Sequence, residues 1–453
     1  MKPDPAPFFD LMKEPTEMKA IQVGLLGIGT VGGGVFEVLR RNQTEIQRRA
    51  GRGIAIAAVA DLDQERARRL VGDAVPVFGD ARAVLANPDI DIVIELIGGV
   101  GVARALVLEA IAAGKHVVTA NKALLAVHGT EIFQAAQQRG VMVAFEAAVA
   151  GGIPIIKALR EGLTANRIQW VAGIINGTTN FILSEMRDKG LDFATALAQA
   201  QQLGYAEADP RNDIEGIDAA HKATILSAIA FGIPVQFERA YVEGITRLAA
   251  SDFKYAEQLG YRIKLLGIAK RQASGIELRV HPCLVPAKRL LANVEGAMNA
   301  VMVQGDAVGT TLYYGKGAGS EPTASAVIAD LVDVTRLHTA DPQNRVPHLA
   351  FQPDALSELP ILPMSAVQTS YYLRLCVADQ AGVLAQVTGI LAAAEISIDA
   401  VLQREAEQGA AQTELIILTH QTREGAMDAA LAQMQALPTV LAPIVRIRKE
   451  ELA

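Results

Sequence analysis

Hydrophobic residues in the first third of the chain gather into short, mostly apolar runs, at 20–26, 54–60, 91–96, 116–120 and 141–145. Runs of this length, bounded by polar or glycine-containing stretches, predict strands buried on both faces. Between them, at 31–49 and 102–113, apolar residues return with the spacing of a helix face. Strands alternating with helices predict a parallel sheet covered by helices on both sides.

The rhythm changes from residue 151. Long alanine-rich helical stretches at 194–203 and 213–231 mix with strand patterns at 276–282 and 297–304, which predicts a separate α+β domain over 149–311. The first domain spans 19–148 and takes back a return segment at about 312–345. A proline-bearing linker follows over 346–369. Beyond it the pattern reads strand 371–378, helix 383–394, strands 396–404 and 412–419, helix 424–435 and strand 440–447. That βαββαβ order makes a ferredoxin-like unit over 370–453. Residues 1–18, rich in proline and charge, are expected to form a loose tail.

Composition narrows the function. A net charge of -7 and a pI near 5.6 argue against a nucleic-acid partner, since no basic stripe is present to meet phosphates. No apolar run is long enough to cross a bilayer. Cys283 and Cys376 lie far apart and form no CxxC pair. A soluble protein of the reducing cytoplasm is the expectation.

Gly27, Gly29 and Gly32, with Thr30 and Val31 among them, form a GxGxxG turn between a predicted strand and a predicted helix. The first glycine permits the tight turn, the second lets backbone approach a pyrophosphate, and the third allows close strand–helix packing. The helix N-terminus then offers unpaired N–H groups to the phosphates. This predicts a Rossmann-type dinucleotide site; the plainer alternative is a glycine turn needed only for packing. Asp61 ends the second strand, where an acid accepts hydrogen bonds from an adenosine ribose and favours NAD. Arg66, Arg68 and Arg69 follow closely and offset repulsion of a 2′-phosphate, so the choice between NAD and NADP stays open.

Lys122 follows the end of a predicted strand, where open α/β sheets place ligands; taken alone, a solvated lysine at a helix start is the plainer reading. Further on, the helix over 214–231 is apolar nearly all round, which predicts burial. Yet Asp218 and Lys222 stand i, i+4 on one of its faces, together with Ile225 and Ile229. One reading is a buried structural ion pair. The other is a proton-transfer site, because burial brings a lysine's pKa toward neutrality. His221 next door reads as a satisfied core histidine. Glu207 lies with Asp209 and Asp213 in the acidic loop before this helix, suited to a substrate ammonium. Neither HExxH nor Cys/His spacing supports a transition metal there.

These residues resemble one family. The glycine turn, 119–122, 146–154, 176–180, the GYxExDPxxD stretch from Gly204 with the D-x-x-x-K that follows it, and the late glycine-rich segment 314–319 are all similar to homoserine dehydrogenase. The resemblance covers roughly 19–345. It implies NAD(P)-dependent, reversible hydride transfer between L-homoserine and L-aspartate 4-semialdehyde, at a site between domains. By the same resemblance Lys222 is the acid/base, Lys122 lies near the reacting oxygen or the substrate carboxylate and joins the cofactor contacts, and Glu207 and Asp218 hold the substrate's ammonium and hydroxyl, respectively. Gly317 joins the cofactor set. A structural sodium ion is implied at Glu146, Val149, Gly151 and Ile153, with backbone carbonyls as the natural ligands of a hard cation. Residues 149–311 would also dimerise the chain.

The segment from Asp379 through Gly382, Val383 and Leu384 resembles the first turn of an ACT domain. This implies an amino-acid pocket and feedback inhibition by threonine, the end product of such pathways; a purely dimerising module is the alternative. A homodimer, or a homotetramer through ACT pairing, follows from the resemblance. Two rival readings are weaker. An acylating semialdehyde dehydrogenase needs an activated thiol, a context that Cys283 and Cys376 lack. A non-catalytic sensor has no need of Glu207, Asp218 and Lys222. A fused aspartate kinase is not expected, since the nucleotide fingerprint begins near residue 27.

Overall fold

The computed structural model describes residues 19–403 and 411–452. The expected tail at 1–18 and the last residue of the strand expected at 396–404 lie outside the described residues. The chain divides into two compact units: residues up to 121 with 131–147 and 319–345, and residues 122–130, 148–318 and 346–453.

In the first unit six strands run parallel: β1 (Ile21–Leu26), β2 (Ile54–Ala60), β3 (Val77–Phe78), β4 (Ile92–Glu95), β5 (His116–Thr119) and β6 (Val143–Ala144). Their order, β3-β2-β1-β4-β5-β6, is that of a Rossmann sheet with its crevice between β1 and β4. Val23, Leu25, Ile92 and Ile94 are fully buried, as strands covered on both faces require. The helix expected over 31–49 breaks at Asn42 into Thr30–Arg41 and Gln43–Ala50. Helix Ser320–Leu337 returns to this unit and packs on Thr30–Arg41. A Cβ at Gly34 would stand 2.5 Å from Ser320 Oγ, so the extra glycine after the fingerprint serves this helix contact.

The second unit is built on one long sheet: β7 (Ile168–Ile174), β8 (Tyr241–Val242), β9 (Tyr261–Gln272), β10 (Gly275–Pro286), β11 (Met298–Gly305), β12 (Gly309–Lys316), β13 (Gln368–Ala378), β14 (Ile398–Gln403), β15 (Gln412–Thr419), β16 (Thr422–Arg423) and β17 (Val445–Lys449). The sequence pattern missed β9, which forms a long hairpin with β10. It also cut β10 short at 282 and placed the last strand several residues early. β12 pairs with β11 in this sheet, so the return to the first unit starts at residue 319 rather than near 312.

The C-terminal part has the expected βαββαβ order, with helices Val383–Ala393 and Glu424–Gln435 covering its core. It is not a free bead on a linker. β17 pairs parallel with β10 at Cys283–Arg448 and Leu284–Lys449, stitching the two sheets into one. Buried ions reinforce the seam. Arg448 bridges Glu424 of the last helix to Tyr241 of β8 and to Glu243 just after it. Arg374 and Tyr372 of β13 both hold Asp252. No described helix is long and apolar enough to cross a membrane.

Candidate active site

The glycine turn of the first unit divides its labour as its spacing predicts. Gly27 has φ +90°, and a Cβ there would lie 2.8 Å from Leu96 O; at Gly32 it would lie 2.2 Å from Gly27 O. Those two glycines are demanded by the fold. Gly29, the N-cap of helix Thr30–Arg41, is different: its Cβ would meet only Arg66 Nη2, at 3.8 Å. Among the described residues nothing requires a glycine there, whereas a pyrophosphate approaching the backbone would. A cleft of about 500 Å³ opens beside the turn, lined by Gly27, Gly29, Asp61, Arg66, Arg82 and Leu106 among others.

Asp61 sits in this cleft with its carboxylate already engaged. It accepts from Ile28 N at 2.7 Å and Asp63 N at 2.9 Å, with Arg66 at 3.8 Å. Arg66 also donates to Ile28 O at 3.2 Å. Asp61 therefore shapes the glycine turn, a role the sequence did not disclose. Glu95 was missed altogether. Fully buried at the end of β4, it accepts from Thr119 Oγ1, Ile97 N and Gly98 N, and so organises the loops at the carboxyl ends of β4 and β5.

The second unit carries the ionisable cluster. Arg211–Ile214 forms a short helix, and Gly216 (φ +82°) breaks the helix expected over 213–231 so that the long one runs Ile217–Phe231. The break matters, because Asp213 and Asp218 come from separate helices and meet at one residue: Asn176 Nδ2 donates to Asp213 Oδ1 at 2.6 Å and to Asp218 Oδ2 at 2.8 Å. Asn176 Oδ1 meanwhile caps helix Gly177–Lys189 through Thr179 N. Sequence reading noted the 176–180 motif but assigned this clamp no role.

Asp218 lies between two lysines. Lys222 Nζ donates to its Oδ2 at 2.6 Å, and Lys122 Nζ stands 3.2 Å from its Oδ1. Lys222 donates a second bond to Ile175 O, at 2.8 Å. Asp218 and Lys222 are nine-tenths buried, while Lys122 at the start of helix Lys122–Arg139 is 41% exposed along its side chain. Burial alone would raise the Asp218 pKa, but Lys222 and Lys122 outweigh it and hold the carboxylate ionised. For Lys222 burial wins: its pKa is lowered despite Asp218. Lys122 moves the other way, raised chiefly by Asp218 and further by Asp213 and Glu207. One lysine is thus disposed to release its proton and the other to keep its charge.

Glu207 is exposed on the loop before Asp213, its backbone tethered by Gln201. Thr178 Oγ1 donates to Tyr205 O and holds the same loop. Asp209 faces Arg211 instead, which depresses its pKa to about 2. Of the positions implied for sodium, Glu146 is buried in the first unit. In the second, Val149, Gly151 and Ile153 follow one another through a turn where Ala150 and Gly151 both have positive φ. Gly317 packs its Cα against Asn299. In the C-terminal part Gly382 starts helix Val383–Ala393 beside open space; Asp379 and Leu384 are exposed and Val383 is buried. Cys283 is fully buried, and burial pushes its thiol up, so it cannot serve as an acylated nucleophile.

A nucleotide-binding parallel sheet, with an aspartate-held, buried lysine in the second unit, defines a nicotinamide-dependent oxidoreductase. Comparison with known proteins narrows the class. Residues 154–332 match the family described as homoserine dehydrogenase, 27–146 its NAD-binding domain and 371–439 the ACT domain. The homoserine dehydrogenase of Pseudomonas aeruginosa is 61% identical over 96% of this chain and 100% of its own. A crystal structure of a homoserine dehydrogenase from Thiobacillus denitrificans is 66% identical with a TM-score of 0.92, covering 96% of this chain and 99% of that one. A hyperthermophilic archaeal homoserine dehydrogenase in complex with NADPH is 25% identical with a TM-score of 0.60, over 70% of this chain and 98% of that one. The chain belongs to the homoserine dehydrogenase family and is an oxidoreductase with an appended ACT domain.

Proposed function

We propose that Lys222 is the acid/base of the reversible oxidation of L-homoserine to L-aspartate 4-semialdehyde. The observation that carries this reading is the bonding of its Nζ. A neutral lysine amine has two N–H donors and one lone pair. Here the two donors are spent on Asp218 Oδ2 and Ile175 O, which leaves the lone pair to take the proton from the substrate hydroxyl. In the reductive direction the ammonium returns that proton to the nascent alkoxide. Asp218 keeps the amine aimed, Lys122 supplies a fixed positive charge for the reacting oxygen or the carboxylate, and Glu207 receives the substrate ammonium. The nicotinamide supplies the two-electron hydride acceptor or donor.

The cleft lined by Asp61 and Arg66 offers an acid to a ribose and a cation to a 2′-phosphate, and NADPH on the archaeal relative supports the phosphorylated form. By the family likeness, the carbonyls of Val149, Gly151 and Ile153 with the Glu146 carboxylate would hold a structural sodium ion. The two positive-φ residues in that turn support it, and no proton or hydride step runs through it. Threonine is the proposed effector at Asp379, Gly382, Val383 and Leu384, in a cytoplasmic route to threonine, methionine and isoleucine. A dimer through the second unit's sheet, extended to a tetramer by ACT pairing, is the proposed assembly. The test follows formation of reduced cofactor from L-homoserine, with NAD and NADP separately, with and without L-threonine. No turnover with either cofactor overturns the catalytic reading; turnover indifferent to threonine overturns the effector assignment alone.

A further inference from the structure

A polar cavity of about 520 Å³ lies in the second unit where the catalytic sheet meets the ACT sheet. β7, β9 and β10 provide one wall, the beginnings of β13 and β14 and the end of β15 the other, and β17 with the residues after it the seam between. The loop 379–384 follows the far end of β13. At about 3.3 Å per residue along that strand it lies roughly 30 Å from Ser370, which lines the cavity. The two places are separate.

The cavity's charges are balanced but not all paired. Arg279 is taken by Glu277 at 3.0 Å and Glu450 at 2.5 Å, and Lys449 by Asp399 at 3.3 Å. Lys270 and Glu451 line the same cavity, and among the described residues neither has an ion-pair or hydrogen-bond partner for its side chain. Lys270 stands in register between Trp170 of β7 and Glu277 of β10, so it shares one face of the sheet with both. A spare cation and a spare anion, lining one cleft with the Ser370 hydroxyl and the Trp170 ring, complement a small molecule that bears both charges. A simple anion would leave Glu451 opposed, and a simple cation would leave Lys270 opposed. We propose that this cavity binds a free α-amino acid, with Lys270 on its carboxylate and Glu451 on its ammonium, as an effector site distinct from the ACT turn. Its occupant touches strands of both sheets and so couples the ACT domain to the catalytic one.

The chain contains one tryptophan, and it lines this cavity. Tryptophan emission of the whole nicotinamide-free chain therefore reports on this place alone. The experiment titrates the common L-amino acids one by one against that emission. At least one is expected to give a saturable change. Lys270→Met and Glu451→Gln should each weaken it by about tenfold or more, the equivalent of roughly 1.4 kcal/mol, with unaltered Tm. The matching α-hydroxy acid and decarboxylated amine, each lacking one charge, should not bind, and Asp379→Ala should leave the titration unchanged. The proposal is overturned if no amino acid alters the emission, if the change survives both substitutions, or if a single-charge analogue binds equally well. It is also overturned if Asp379→Ala alone abolishes the change; in that case threonine at the ACT turn stands and this second site does not.

Discussion

Replacing Lys222 with methionine removes the proton carrier while keeping an unbranched chain of similar length in the buried slot. Asp218 then keeps two of its three partners, Lys122 at 3.2 Å and Asn176 at 2.8 Å. The stability cost should therefore stay below the roughly 3–5 kcal/mol of a buried pair broken outright, and a Tm measurement checks this. Positioned acid–base groups contribute about 10²–10⁴-fold to rate, or roughly 3–5 kcal/mol of barrier at about 1.36 kcal/mol per tenfold. The fall should appear in kcat, with KM for homoserine altered by less than about tenfold, since the proposed substrate contacts of Glu207 and Lys122 remain. The pH profile adds a second reading. Oxidation needs neutral Lys222, whose pKa burial lowers from the ordinary 10.5. In the wild type, oxidation should rise with pH to a plateau reached below that value, and reduction should decline over the same range. Both limbs should vanish in the variant. A variant within about tenfold of wild-type kcat, or one that keeps the limb, refutes the assignment and leaves Lys222–Asp218 a structural pair.

Glycine substitutions should separate folding from cofactor binding. Gly32→Ala puts a Cβ 2.2 Å from Gly27 O and should cost about 3 kcal/mol or more by overpacking, read as a lower Tm. Gly29→Ala should leave Tm nearly unchanged and raise KM for either nicotinamide cofactor. His116 is buried, and burial together with Arg345 and His338 lowers its pKa from 6.5 to about 3. Its Nδ1 accepts from Met142 N, a bond available only to the neutral ring. Its stabilisation is thus complete above pH 6.5 and is lost as pH falls, by about 2 kcal/mol at about pH 5. Denaturant titrations should show that slope in the wild type and a shallower one in His116→Gln. Arg448→Met removes the cation that joins Glu424 to Glu243 across the seam; Glu424 keeps Arg446 and Tyr371, and Glu243 keeps Tyr241, so the chain should lose about 3 kcal/mol or less, measured as a lower denaturant midpoint.

Much of this was legible in the sequence because it is local. The first unit's strand runs, the glycine turn and the i, i+4 pair of Asp218 and Lys222 depend on neighbours a few residues apart, and the structure has strands, a turn and a pair at those places, though some strand ends shift. β9 escaped because its polar ends mask a buried centre; the helix break at Gly216 escaped because the apolar pattern continues across it. Asn176, Glu95 and the engaged carboxylate of Asp61 escaped for another reason. Each acts through partners distant along the chain, or through backbone N–H groups that no residue type announces.

The sequence by itself determined the class of fold, the nucleotide turn and the identity of the ionisable residues, since periodicity and residue chemistry are properties of short segments. Only the tertiary structure decided how those residues are charged. Lys122 and Lys222 are the same amino acid beside the same aspartate; burial lowers one pKa while the carboxylate raises the other. That difference is set by how much water each retains, and solvent access depends on the packing of elements far apart in the chain.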